Sequence, residues 1–295
     1  MDTKTLQFTA YDFLGYLVPG LAFFALVDMS IAFHFQHMPL SYDAMCGRYS
    51  QIKWQGAIPL ALLCYYVGHM VSFLSSMTIE RYARWRYGHP MRFLLEYPSV
   101  YPRFFNTGGN SGNWSKFFRF FTAIVLWPLW FWESLLLVTG ILKNYIRSMG
   151  PQLVATVKEA LAWLREKAGI TIDPSPDYPT EFESLAINFT LESAPAHVYS
   201  LRNYVVLYGF IRSMTLLLVI AVWLLSLHVG SQFYANGASI WLLVSTFILT
   251  GMAGGVFCVI SYGAYLKFWT RYNREALLGL TAVYLKEKGS HSFLS

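Results

Sequence analysis

Charge is what this chain has least of. Asp, Glu, Lys and Arg together make up 13% of its 295 residues, roughly half the share of an ordinary soluble domain. The scarcity is concentrated: residues 213–266 hold none of the four. A run that bare excludes a solvent-bathed linker and a disordered tail, both of which need polar residues to stay in water. Cysteine is scarce too. Cys46, Cys64 and Cys258 fall at no metal-binding spacing, and two of them sit inside apolar stretches, so neither a disulfide framework nor a cysteine metal site is expected. The first residues, Met1-Asp-Thr-Lys-Thr, lack a basic segment and no small-x-small cleavage site follows, so the first apolar span is expected to be an uncleaved helix. No internal repeat is found, which counts against a transporter built from duplicated halves.

Apolar material is abundant instead: 55% hydrophobic residues and a mean hydropathy of +0.40. Residues 214–230 and 240–266 are each about as long as a bilayer-crossing helix, which needs roughly 20 apolar residues. The uncharged, turn-prone link 231–239 joins them. Cations return just outside this hairpin, at Arg202 and Arg212 before it and Lys267, Arg271 and Arg274 after it. By the positive-inside bias both ends lie in the cytoplasm. Two further spans are expected near residues 11–33, kinked at Pro19-Gly20, and 56–77.

Residues 120–142 are ambiguous, being long enough to cross with Glu133 as their one charge. Counting the 22 Lys and Arg decides between topologies. If the segment crosses, 8 lie on one side and 14 on the other; if it does not, 20 share one side and only Arg48 and Lys53 lie opposite. The uneven split is the one the bias favours. The sequence Trp127-Pro-Leu-Trp-Phe-Trp132 agrees, because Trp prefers headgroup depth and Pro bends a helix. The fold expected is an all-α integral membrane protein. It has four transmembrane helices in two hairpins, one interfacial or re-entrant segment and a small helical cytoplasmic module. The boundaries are 1–77 for the first hairpin, 78–119 for a basic aromatic loop and 120–142 for the embedded segment. The module covers 143–203, the second hairpin 204–266 and a cytoplasmic amphipathic tail 267–295. Within the module, residues 151–168 read as a helix with Leu153, Val154, Val157, Ala160, Leu161 and Leu164 on one face.

Candidate chemistry starts with intramembrane charge, which is costly and usually functional. Asp28 and His69 are the polar groups inside spans, but they sit on the order of 10 Å apart in depth at 1.5 Å per residue, which disfavours a direct relay. Small residues at Gly68, Ser72 and Ser76, and at Gly251 and Gly255, form faces that let helices approach closely in lipid. Arg81, Arg84, Arg86 and Arg92 interleave with aromatics and point to lipid headgroups, with nucleic acid the less favoured partner. The acidic connector around Asp173 and Asp177 and the tail stripe of Phe268, Trp269 and Tyr272 are the surfaces expected to bind a protein partner, the stripe having no obvious cover within the chain. His34 and His37 with Asp43 and Cys46 fall short of a defined metal ligand set, and no cofactor is expected. The loop 106–113 lacks the Gly-Lys-Ser/Thr of a phosphate loop, and Ser184 and Ser193 have no acid-and-base constellation beside them.

The function these features point to is a multi-pass inner-membrane anchor or effector subunit of a bacterium. It would dock a cytoplasmic protein and self-associate into a pore-type assembly, as in stress or phage defence, and would not be an enzyme. The alternatives are a membrane-embedded enzyme acting on lipid, with His69, His89 or Glu133 as acid/base group, and a transporter or ion-conducting subunit.

Overall fold

The computed structural model describes residues 12–35, 47, 53–96, 113–140, 147–169 and 180–292. Every regular element among them is helical. In chain order these are α1 (Val18–Phe35), α2 (Trp54–Ser75), α3 (Arg81–Tyr87), α4 (Pro90–Leu94), α5 (Asn113–Val125) and α6 (Trp127–Val138), then α7 (Pro151–Lys167), α8 (Thr180–Ser193), α9 (Pro195–Ala235) and α10 (Ile240–Ser292). Single π-helical turns, Phe13–Leu17 and Ser76–Glu80, lead into α1 and link α2 to α3.

Among the described residues, four helical stretches are long and apolar enough to cross a membrane: Phe13–Ala32, Gln55–Leu94, Pro195–Ala235 and Ile240–Gly289. Their large side chains are widely exposed, among them Leu62, Tyr66 and Phe73 on α2 and Trp241, Phe257 and Ile260 on α10. Apolar surface on that scale is tolerated in a hydrocarbon solvent and not in water, which supports a membrane location.

The chain divides into two compact units. The first comprises Met1–Glu80, Phe121–Val138 and Gly209–Tyr262; the second comprises Arg81–Phe120, Thr139–Tyr208 and Gly263–Ser295. Charge separates with them, since 18 of the 22 Lys/Arg and 10 of the 16 Asp/Glu fall in the second unit.

In the first unit, backbones approach closely where side chains are missing. Gly20 faces the carbonyl of Cys64, and Gly68 faces that of Tyr16, so close that a Cβ on either glycine would collide with backbone. Close backbone contact of this kind packs α1 and the turn before it on α2, the mode of approach that small residues allow between apolar helices. Between α5 and α6 the chain turns by 89°. Pro128 accounts for the break, because it has no N–H for the carbonyl one turn earlier and its ring clashes there. The bent pair is fastened by indoles: Trp132 Nε1 donates to the Met252 carbonyl at 2.7 Å, and Trp223 Nε1 to that of Val125 at 2.8 Å.

The second unit has a conventional apolar core. Gly150 stands before α7 and Pro151 at its first position, where a missing N–H costs nothing. The buried stripe Val154, Val157, Ala160, Leu161 and Leu164 packs with Met91, Leu94 and Leu95, with Leu201 of α9 and with Ala276, Leu277 and Leu280 of α10. A backbone hydrogen bond from Met149 to the Leu94 carbonyl, 3.1 Å, closes the same core. The hydroxyl of Thr190, fully buried, donates to the carbonyl of Ala186 on its own helix and lies 2.9 Å from that of Ala276 on α10.

Candidate functional site

The most concentrated polar chemistry in the first unit lies where α2 meets α9. Arg212 donates through Nη1 to the Glu80 carboxylate. Its Nε donates to Ser75 Oγ at 3.1 Å, and its Nη2 reaches the Ser72 carbonyl at 3.3 Å and hydroxyl at 3.4 Å. Ser75 and Ser213 hydroxyls meet at 3.4 Å. The two charged side chains are only 11% and 13% exposed.

The local sequence builds this arrangement through the π turn Ser76–Glu80. In an uninterrupted α-helix Glu80 would stand about 80° around the axis from Ser72, at 3.6 residues per turn. The wider π turn absorbs part of that rotation and aims the carboxylate at the guanidinium. The cluster joins a guanidinium, a carboxylate and serine oxygens from two helices. Its geometric consequence is to hold α2 and α9 in one register.

Sequence reasoning missed this pair. Arg212 had the look of a topology-setting flank and Glu80 that of a loop charge, while Ser72 and Ser76 looked like small packing residues. Ser72 is in fact a ligand of the guanidinium, and Ser76 donates to the Phe73 carbonyl of its own helix. An acid at the end of one apolar helix and an arginine at the start of another was the available signal.

His69 stacks on Tyr16 with ring centroids 3.6 Å apart and meets Tyr65 edge-on at 4.7 Å. Tyr65 in turn donates to Asp12 Oδ1 at 3.3 Å. Asp28 lies twelve residues beyond Tyr16 on the same helical stretch, about 18 Å at 1.5 Å per residue, so His69 and Asp28 are not brought together. Glu133 is fully buried on α6. Gly251 meets the Trp127 ring, and Gly255 meets the Pro128 carbonyl and Trp132; both therefore serve contacts within the chain.

In the second unit the tail stripe, expected to lack cover within the chain, has intrachain neighbours: Trp269 is buried, and Phe268 and Tyr272 are half-buried. Trp269 is 4% exposed, stacked on Tyr265 at 5.6 Å and edge-on to His89 at 5.7 Å. Tyr272 packs on Tyr208 and Phe268 on Tyr204. Core packing of the module consumes the periodicity that looked like a free surface. Arg92 is also buried, at 8% exposure, which removes it from any lipid surface, whereas Arg81 and Arg84 are exposed. Arg86 is intermediate. His197 Nδ1 and Glu275 Oε1 pair at 2.8 Å. Among the described residues no three His, Cys, Asp or Glu side chains converge as metal ligands would. Asp173, Asp177, His37, Asp43 and Cys46 lie outside the described residues. Comparison with protein-family models, with curated proteins and with solved structures finds no match for this chain.

Proposed function

We propose that this protein is a multi-pass membrane subunit that anchors a charge-bearing helical module on the cytoplasmic face and uses it to dock a protein partner. It works through surfaces and not through a catalytic group. One observation carries the reading. The core of the second unit is assembled from residues 91–95, 149–164, 201 and 276–280. On this reading that core stands outside the bilayer, so its segments lie on one side of the membrane. The chain between Leu95 and Met149 therefore crosses an even number of times, and so does the chain between Leu201 and Ala276. The α5–α6 pair then dips in and returns, and the apolar parts of α9 and α10 form a hairpin. The positive-inside bias puts the cation-rich unit in the cytoplasm.

Self-association extends the reading. His69 is exposed on the face of an apolar helix, where a polar ring is costly against hydrocarbon and favourable against a second protein helix.

Impermeant maleimide applied to cells with single cysteines at Gln152, Ser184 or Asn236 tests the topology, all three positions being exposed. Asn236 should label from outside, and Gln152 and Ser184 only after permeabilisation. Labelling of Gln152 from outside would overturn the arrangement. Docking is tested by a photo-crosslinker at Tyr199, which is 63% exposed. One defined adduct, lost when Leu201→Asp breaks the module core, is the expected result; no adduct in intact protein overturns the docking reading.

A further inference from the structure

Two arginines converge on one aromatic pair in the second unit. On α3, Arg81 and Trp85 stand four residues apart and share a face. On α5, Phe118 and Arg119 are neighbours. The Arg81 Cζ lies 5.9 Å from the Trp85 centroid and 5.6 Å from that of Phe118. The Arg119 Cζ lies 5.4 Å from Trp85, and the two rings meet edge-to-face at 6.3 Å. Among the described ion pairs, no carboxylate is matched with either arginine. The Nε–H of Arg119 is buried with no hydrogen-bond partner among the described residues.

Two cations braced on the same rings repel each other until an anion neutralises them, and a guanidinium fork matches phosphate oxygens in pairs. The surroundings say which phosphate. Phe117 and Phe120, each 58% exposed, sit on α5 beside this cluster. Exposed phenylalanines and a cation on one helix are the pattern of a helix lying at the bilayer surface, and Trp85 is of the type that settles at headgroup depth.

We propose that Arg81 and Arg119, braced by Trp85 and Phe118, form a binding site for the phosphate of an anionic phospholipid. The site rests on the membrane reading of the apolar helices. It adds to that reading a particular lipid contact made by α3 and α5.

The test uses the full chain, purified in neutral detergent and offered equal amounts of phosphatidylglycerol and phosphatidylcholine, with bound lipid counted by native mass spectrometry. Wild type should retain phosphatidylglycerol preferentially. Each arginine near an anionic surface is worth roughly a five-fold change in binding, so Arg81→Gln with Arg119→Gln should lower phosphatidylglycerol retention by about 25-fold and leave phosphatidylcholine unchanged. Arg271→Gln with Lys286→Gln, an equal loss of charge at exposed positions on α10, should leave both unchanged. Should the first pair fail to fold, Arg119→Lys keeps the charge, loses the fork and should still weaken retention. Equal phosphatidylglycerol retention in wild type and the Arg81/Arg119 variant overturns the site. Displacement of the lipid by millimolar inorganic phosphate assigns it to a soluble phosphate and overturns the lipid. Release of the protein from membranes by alkaline carbonate would defeat the membrane reading itself, a separate outcome from loss of lipid preference.

Discussion

Removing one partner of the Glu80–Arg212 pair should cost the first unit a large part of its stability. The guanidinium in wild type has one charged acceptor and three neutral oxygens around it. Glu80→Gln keeps the shape and leaves the cation with neutral acceptors only, in a site where it is 11% exposed. Two unit charges 4 Å apart interact by about 4 kcal/mol at an effective dielectric near 20. Stranding one member of a buried pair typically costs about 3–5 kcal/mol. Arg212→Met should also destabilise, because the Glu80 carboxylate then loses its guanidinium partner. Replacing both, as Glu80→Leu with Arg212→Met, should cost less than either change alone, since apolar side chains of similar volume often substitute for a buried pair at no loss. The serines survive that replacement. Ser75 Oγ donates to the Ser72 carbonyl at 2.8 Å and Ser213 Oγ to that of Gly209 at 3.1 Å. Equilibrium unfolding of the full chain in mixed micelles, titrated with a denaturing detergent and followed by tryptophan fluorescence, gives the four free energies of the cycle. Singles that cost under about 1 kcal/mol and simply add in the double mutant would mean that the pair behaves as a solvated surface bridge, and the latch between α2 and α9 would be refuted.

Gly68→Ala should destabilise the α1–α2 hairpin by about 1–3 kcal/mol, because its Cβ would stand 1.8 Å from the Tyr16 carbonyl oxygen; the same unfolding titration reads it. Gly251→Leu should lower the melting temperature in detergent, since even a Cβ there would reach 2.1 Å from the Trp127 ring. An unchanged melting temperature would remove that contact from the packing of α6 on α10. Trp269→Ala should cost about 3–5 kcal/mol as a buried aromatic truncation, appearing as lost module stability. Loss of a partner at unchanged stability would restore the tail stripe as a docking surface. Thr190→Val should cost about 1–3 kcal/mol by stripping a buried donor from between two carbonyls, seen in the same melts.

Long-period features were legible in the sequence. The stripe from Val154 to Leu164 reads at 3.6-residue spacing and is buried along that face. The charge-free run and its neighbours yield helices long enough to cross a membrane, and the Trp-Pro cluster at 127–132 lies where α5 turns into α6. These succeed because hydrophobic length, helical period and proline stereochemistry act over neighbouring residues. Where the reading failed, the partner was distant in sequence. Glu80 and Arg212 are 132 residues apart, and Tyr16 meets His69 across a helix pair. The tail stripe misled because an amphipathic face shows that something covers it and carries no label for what does.

The sequence alone therefore determined composition-driven properties: an all-helical chain, four apolar stretches of spanning length, cations gathered outside them and a proline-broken aromatic segment. Each follows from the solvation preference of single residues summed over a window, which needs no knowledge of neighbours in space. Tertiary structure decided which polar groups found one another. It placed Arg212 among Glu80, Ser72 and Ser75, turned Trp269 and Arg92 inward, and set Arg81 and Arg119 around Trp85. Those outcomes depend on helix rotation and, for Glu80, on a single π turn, which set what each side chain faces. None of them is encoded in the spacing of residues along a single helix.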